Sequence, residues 1–198
     1  MKLLKLPCLL LMLGLAGCSQ WQTLKAVDGY PANAPDTQWT LRGKLGVRHA
    51  GDSTSMHLFW QNDRTDFVLR LSAPVGGQQA VITRSEGVVD ASLPDGEVYN
   101  AATPEALINQ LYGWQAPVSS LTWWVRGLPD PHMTGHVVPQ DNAQERHWQQ
   151  GAWSIRWSQY RHFGTTPLPG RIEINGPDAL ALTVIVQDWQ WPTREATP

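Results

Sequence analysis

From Gln38 onward, apolar side chains recur at every second position, and this period of two constrains the fold more than any other feature of the chain. Trp39, Leu41, Leu45 and Val47 share one face, while Thr40, Arg42, Lys44 and Arg48 take the other. Met56, Leu58 and Trp60 repeat the pattern, then Phe67, Leu69 and Leu71, then Ala80 and Ile82. Shorter strands are predicted at 88–93 and 97–100, around the turn signal Pro94-Asp95-Gly96. The alternation resumes with Trp153, Ile155 and Trp157, continues through Ile172 and Ile174, and ends with Leu180, Leu182, Val184 and Val186. Short links such as 62–65 make antiparallel meanders the natural topology.

A different segment separates the two sets of strands. Thr103-Pro104-Glu105 supplies a capping hydroxyl, a proline for the first helical position and an acid for the first turn. Leu107, Ile108 and Leu111 then form an apolar stripe that ends at Gly113. Ser119-Ser120 is expected to cap a second short helix carrying Leu121, Trp124 and Val125, stopped at Gly127-Leu128-Pro129. At least seven strands each offer one apolar and one polar face, as in a single antiparallel sheet with one wet side. Two sheets packed as a sandwich would show the same alternation. Two helices of about ten residues span only ~15 Å each, little to cover so broad an apolar face. The arithmetic leaves a closed, filled barrel or a curved wall with an apolar cavity partly lidded by the helices.

The amino terminus has the form of a secretory leader: Lys2 and Lys5, an apolar run from Leu6 to Leu15, then small residues before Cys18. That run is too short to span a membrane, which takes ~20 apolar residues. Leu15-Ala16-Gly17-Cys18 resembles the lipobox of bacterial lipoproteins, so the mature chain is expected to begin at a lipidated Cys18. Ser19 in second position fits outer-membrane sorting by the same resemblance. Two or three acyl chains, at ~0.8 kcal/mol per buried methylene, hold a protein at a membrane almost permanently. The two cysteines are thereby accounted for, Cys8 leaving with the leader and Cys18 carrying lipid. Neither a disulfide nor a thiol nucleophile is then expected.

Loss of Lys2 and Lys5 takes the formal charge from −2 to −4. A mildly acidic chain without a basic run argues against nucleic acid as a partner and against electrostatic docking on acidic lipid. The eleven tryptophans and low charged fraction suggest a large interior walled by indoles, or simply a well-filled core. Residues 20–36, with Pro31 and Pro35, have no sustained period and read as a tether, with a weak helix signal at 21–27.

Between the third and fourth strands lies Ser72-Ala73-Pro74-Val75-Gly76-Gly77-Gln78. Turn tips are normally polar, and here the tip is valine. Val75 either folds back onto the core or stands out as an apolar wedge, which in hydrocarbon contributes ~1.5–3 kcal/mol.

Five pieces stand in order behind the lipobox: Leu41-Arg42-Gly43-Lys44-Leu45, Phe59-Trp60-Gln61, Pro74-Val75-Gly76, the run 121–129 (Leu-Thr-Trp-Trp-Val-Arg-Gly-Leu-Pro) and Asp188-Trp189. Together, over about Trp39 to Trp191, they resemble the LolB family of outer-membrane lipoprotein receptors. The resemblance implies a mainly β fold: a single curved antiparallel sheet of about eleven strands, forming an unclosed half-barrel whose short α-helices lid an apolar cavity. It implies a division into a leader (1–17), a lipidated cysteine and tether (18–37), a lipoprotein-binding domain (38–192) and a tail (193–198). It also implies a monomer on the periplasmic face of the outer membrane. Such a protein takes acylated lipoproteins from a soluble, LolA-like periplasmic carrier and places them in the inner leaflet of the outer membrane, without nucleotide or cofactor. The family's membrane-insertion turn maps onto Pro74, Val75 and Gly76, with valine where leucine is common. The inward faces nominate the cavity lining: Leu45, Met56, Leu58, Trp60, Leu69, Leu71, Trp153, Trp157, Leu182 and Val184 from strands, and Leu107, Leu111 and Trp124 from helices.

An enzyme is disfavoured by what the motifs lack. His132 and His136 have a metal-pair spacing only on a helix, which Gly135 opposes, and no nucleophile elbow, His-Glu-x-x-His or phosphate-binding glycine loop is present. The remaining alternative is an outer-membrane lipoprotein that binds a lipid, or acts as a scaffold, without transferring anything.

Overall fold

The first strand of the domain pairs with the last, so both ends of the fold meet at the centre of its sheet. The computed structural model describes residues 38–191 apart from 76, 78, 143 and 165. The leader, Cys18, the tether with its possible 21–27 helix, Gly76 and the 193–198 tail lie outside the described residues. The chain runs β1 (Gln38–His49), β2 (Asp52–Asp63), β3 (Asp66–Ser72), β4 (Gln79–Ser85), β5 (Val88–Ser92) and β6 (Val98–Ala101). It continues with helices α1 (Pro104–Tyr112) and α2 (Val118–Trp124), then β7 (Gly135–Val138), β8 (Arg146–Gln150) and β9 (Trp153–Ser158). A small hairpin, β10 (Arg161–Phe163) with β11 (Thr166–Leu168), precedes β12 (Arg171–Asn175) and β13 (Ala181–Gln190).

Eleven strands form one antiparallel sheet in the order β6-β5-β4-β3-β2-β1-β13-β12-β9-β8-β7. Its edges, β6 and β7, do not pair with each other, so the barrel is unclosed, as the resemblance implied. β6 and β7 are also the strands on either side of the helical segment in sequence. The chain leaves one edge, passes through α1 and α2, and begins again at the other. That path sets the helices over the inner face, where Leu107, Ile108, Val118 and Trp124 join the same buried cluster as the inward strand residues.

Curvature has a local cause at Gly43. The register of β1 on β13 shifts between Arg42 and Gly43, leaving Gln187 as the extra residue of a bulge, which bends and twists a sheet. A side chain at Gly43 would put its Cβ 2.3 Å from the carbonyl oxygen of Ile185, so only glycine fits.

α1 begins as expected, with the Thr103 hydroxyl accepting from the Ala106 N–H at 3.1 Å, and ends at Gly113 with φ of 75°. The start of α2 differs from the expectation. Pro117 occupies the cap position and Ser119 and Ser120 lie inside the first turn. The Glu105 carboxylate of α1 accepts the Ser119 N–H at 2.8 Å and so caps α2 from the neighbouring helix. The Ser120 hydroxyl turns inward and donates to Asp130 at 2.5 Å. β7, β8 and the β10–β11 hairpin were not legible: Arg-His-Trp-Gln-Gln carries no alternation, and three-residue strands are too short to show a period.

Candidate functional site

The interior has two halves, divided by what the helices send into it. Under β8, β9 and β12 it is solid. Trp124 of α2 is fully buried there and donates its indole N–H to Gln150 Oε1 at 2.7 Å. The same oxygen accepts the Asp130 N–H at 2.8 Å, while Gln150 Nε2 donates to the carbonyls of Asp130 and Met133 at 2.8 and 2.9 Å. All four hydrogen-bonding capacities of this buried amide are therefore used. Trp157 closes the network by donating to the Trp124 carbonyl at 2.6 Å. Trp153 packs on Trp124 at 5.9 Å between ring centroids and covers Gly176 so closely that a Cβ there would lie 2.1 Å from its ring.

Under β1, β2 and β3 the interior is hollow. A cavity of about 350 Å³ lies between the sheet and the helices. From the sheet, its wall takes Leu45, Met56, Leu58, Trp60, Leu69, Leu71, Leu182 and Val184. The helices and the loop between them add Ile108, Ala116, Val118, Leu121 and Val125. This volume is at the lower end of the ~300–1,000 Å³ typical of small-molecule sites.

Five nominated residues lie off this wall. Trp124, Trp153 and Trp157 fill the solid half, because Gln150 fixes Trp124 and Trp124 fixes Trp157. Leu107 is fully buried in the core, and Leu111 is half-buried and packs against that core. Strict α-helical spacing puts Ile108 and Tyr112, rather than Leu107 and Leu111, on the cavity side.

Sequence reasoning missed a polar end to the cavity. His49, Asp52 and Thr54 continue the inward registers of Val47 on β1 and Met56 on β2, and they line the wall with Tyr112 and Trp114. Tyr112 stacks on Trp114 at 5.6 Å, and His49 lies 6.2 Å from the same indole. Burial pushes the Tyr112 phenol above its ordinary pKa, so it remains a neutral donor. The signal for these residues was register alone, since hydropathy does not mark them.

β1 and β3 run in the same direction, so the β1–β2 hairpin and the turn after Ser72 are at the same end of the sheet. Val75 stands at that turn with 89% of its surface exposed. It does not fold back onto the core. The cavity, reaching His49 and Asp52, extends toward this same end. His136 lies on a strand, not a helix, and among the described residues no group of three potential ligands could hold a metal ion.

The sequence of this domain matches the family described as "Outer membrane lipoprotein LolB" over residues 37–189. Among individual proteins, the outer-membrane lipoprotein LolB of Pseudomonas fluorescens (strain Pf0-1) is 35% identical over 186 residues, covering 89% of this chain and 90% of that protein. The protein of the same name from Pseudomonas paraeruginosa (strain DSM 24068 / PA7) is 37% identical over 152 residues, 77% of this chain and 74% of that one. Matches of this extent cover the whole sheet with its cavity and exposed turn, and they establish that the chain belongs to the LolB family, outer-membrane lipoprotein receptors of lipoprotein localisation.

Proposed function

We propose that this protein, held by lipid on Cys18, receives acylated lipoproteins from a soluble periplasmic carrier into the hollow half of its interior. It then deposits them in the inner leaflet of the outer membrane. The observation that carries this reading is a mainly apolar cavity that extends toward the same end of the sheet as an exposed apolar apex.

The transfer makes and breaks no covalent bond. Acyl chains move from one apolar container to another and then to a bilayer, each step improving their burial. A wall of leucine, valine and methionine suits this, because affinity then follows apolar area with little regard to the identity of the cargo. A cavity of about 350 Å³ holds only part of a triacylated terminus, so full loading requires the helices to part from the sheet. α2 is bolted to the solid half through Trp124 and Ser120, whereas Glu105 provides a single exposed bond between α1 and α2. Lid opening is therefore a movement of α1 against α2 and β1–β3. At the last step Val75 enters the hydrocarbon and lowers the barrier to release.

The test is transfer of a labelled lipoprotein from loaded carrier to liposomes bearing the full acylated protein. Val75→Glu is expected to accept cargo normally and deposit it at least ~10-fold more slowly, since a charge replaces apolar burial at the point of entry. Deposition by the variant at the unchanged rate would discard the wedge. Cargo that binds the protein and never leaves it would make the protein a static lipid binder.

A further inference from the structure

The outer face of the sheet carries a charge pattern that the net charge conceals. Arg42, Phe59 and Arg70 stand opposite one another across β1, β2 and β3. Both guanidinium carbons lie 4.9 Å from the centre of the Phe59 ring. Lys44 and Arg48 extend the same face of β1 toward the Val75 end, both exposed. Among the described residues none of these four cations has a carboxylate within ion-pair distance. The nearest acid in the row, Asp188 opposite Arg42 on β13, instead accepts the Gln190 amide at 3.0 Å. Four cations gathered on one face without a carboxylate partner repel one another weakly, so this face is better satisfied when an anionic surface covers it.

We propose that the outer face of β1–β3 around Arg42, Phe59 and Arg70 docks on the phosphodiester head groups of anionic phospholipids, leaning the protein onto the bilayer it serves. The inference rests on the receptor reading for its orientation, because that reading puts Val75 into the membrane. The heights agree. Arg70 is five residues from Val75 along the chain, at most ~16 Å at ~3.3 Å per residue, and the Lys44 level lies one pleat closer. An apex sunk ~5–10 Å into the acyl boundary brings those levels to the head groups, which long basic side chains can reach. The guanidinium fork suits phosphodiester oxygens, and its stacking on Phe59 fixes the fork in place.

The experiment uses the full acylated protein in vesicles of phosphatidylcholine with and without phosphatidylglycerol. Cys18 carries lipid, so Gln61→Cys adds the sole free thiol of the mature chain, on the same face as Phe59, for a fluorophore quenched by nitroxide-labelled head groups. Quenching is expected to rise severalfold with phosphatidylglycerol, and to lose that rise in molar salt, where the Debye length falls to ~3 Å. Arg42→Gln with Arg70→Gln should abolish the rise, whereas Arg156→Gln on β9 should preserve it. Quenching indifferent to phosphatidylglycerol, or a rise that survives in the double variant, would overturn the proposal. So would a double variant with normal quenching and slow uptake from the carrier, which would make the patch a protein-docking surface. The readout needs no cargo: lipid-dependent quenching in a protein that transfers nothing would keep this surface and dismiss the receptor.

Discussion

Below β8, β9 and β12 the interior is filled by three indoles and a glutamine, while below β1–β3 it is walled by side chains that mostly end at leucine, methionine or valine. In the solid half Trp124 and Trp157 both give their indole N–H to an acceptor, at 2.7 and 2.6 Å. Beside the hollow half Trp39, Trp60 and Trp189 pack edge to face at 5.1–5.2 Å, and their N–H groups find no acceptor among the described residues. An unpaired buried donor costs ~1–3 kcal/mol, an expense that ring packing and apolar burial must offset. The contrast separates two uses of one sheet: one half is closed by a polar network that fixes α2, and the other is walled mainly by apolar side chains, with polar groups gathered at its His49–Asp52 end, and left open.

The strongest test of this division is truncation. Trp157→Ala is expected to destabilise the fold by ~3–5 kcal/mol, because it empties a filled site and removes a partner of α2. Leu69→Ala, whose side chain already faces open space, should cost only ~1 kcal/mol. Denaturant unfolding of the two variants measures both, and equal losses would erase the distinction. Enlargement should invert the pattern. Leu69→Trp adds volume where space exists, so stability should change by less than ~1 kcal/mol, while affinity for an acylated peptide falls ~10-fold or more. A large loss of stability with intact binding would place the cargo elsewhere.

What the sequence made legible, and what it did not, follows the same line. Alternation located the inward face of every long strand, including Leu45, Met56, Leu69 and Val184 on the cavity wall. It could not tell hollow from solid, because Trp60 and Trp157 occupy equivalent inward positions. Only the path of the chain from β6 to β7 delivers Trp124 onto one of them. Gln150, which fixes that indole, lies in a strand without periodicity, and its role depends on Asp130 and Met133, residues brought near by the fold. His49 and Asp52 hold inward registers with polar side chains, so hydropathy passed over them. The acidic net charge averaged away the cationic face of β1, which the alternation had already placed on one side.

The smallest expected effect belongs to the solid half's outer rim. His147 Nε2 lies 2.7 Å from Ser154 Oγ, and Nδ1 lies 3.2 Å from the Gln140 amide nitrogen that also donates to Pro139. This arrangement suits a neutral ring, and partial burial together with the nearby Arg156 charge holds its pKa below the ordinary 6.5. The folded state thus binds this proton less readily than the unfolded chain. Its stabilising contribution is complete above pH 6.5 and is lost as pH falls through the unfolded value toward the folded one. His147→Gln should flatten that part of the stability profile, as read by unfolding between pH 7 and 5, and an unchanged slope would assign it to other groups.

The most direct measurement places a photoactivatable group on the acyl chain of a carrier-delivered lipoprotein and maps where it cross-links. The account predicts attachment to peptides containing residues 45–71 and 182–184, the wall of the hollow half, with little at Trp153 or Trp157. Label concentrated in the solid half, or confined to the outer surface, would contradict it.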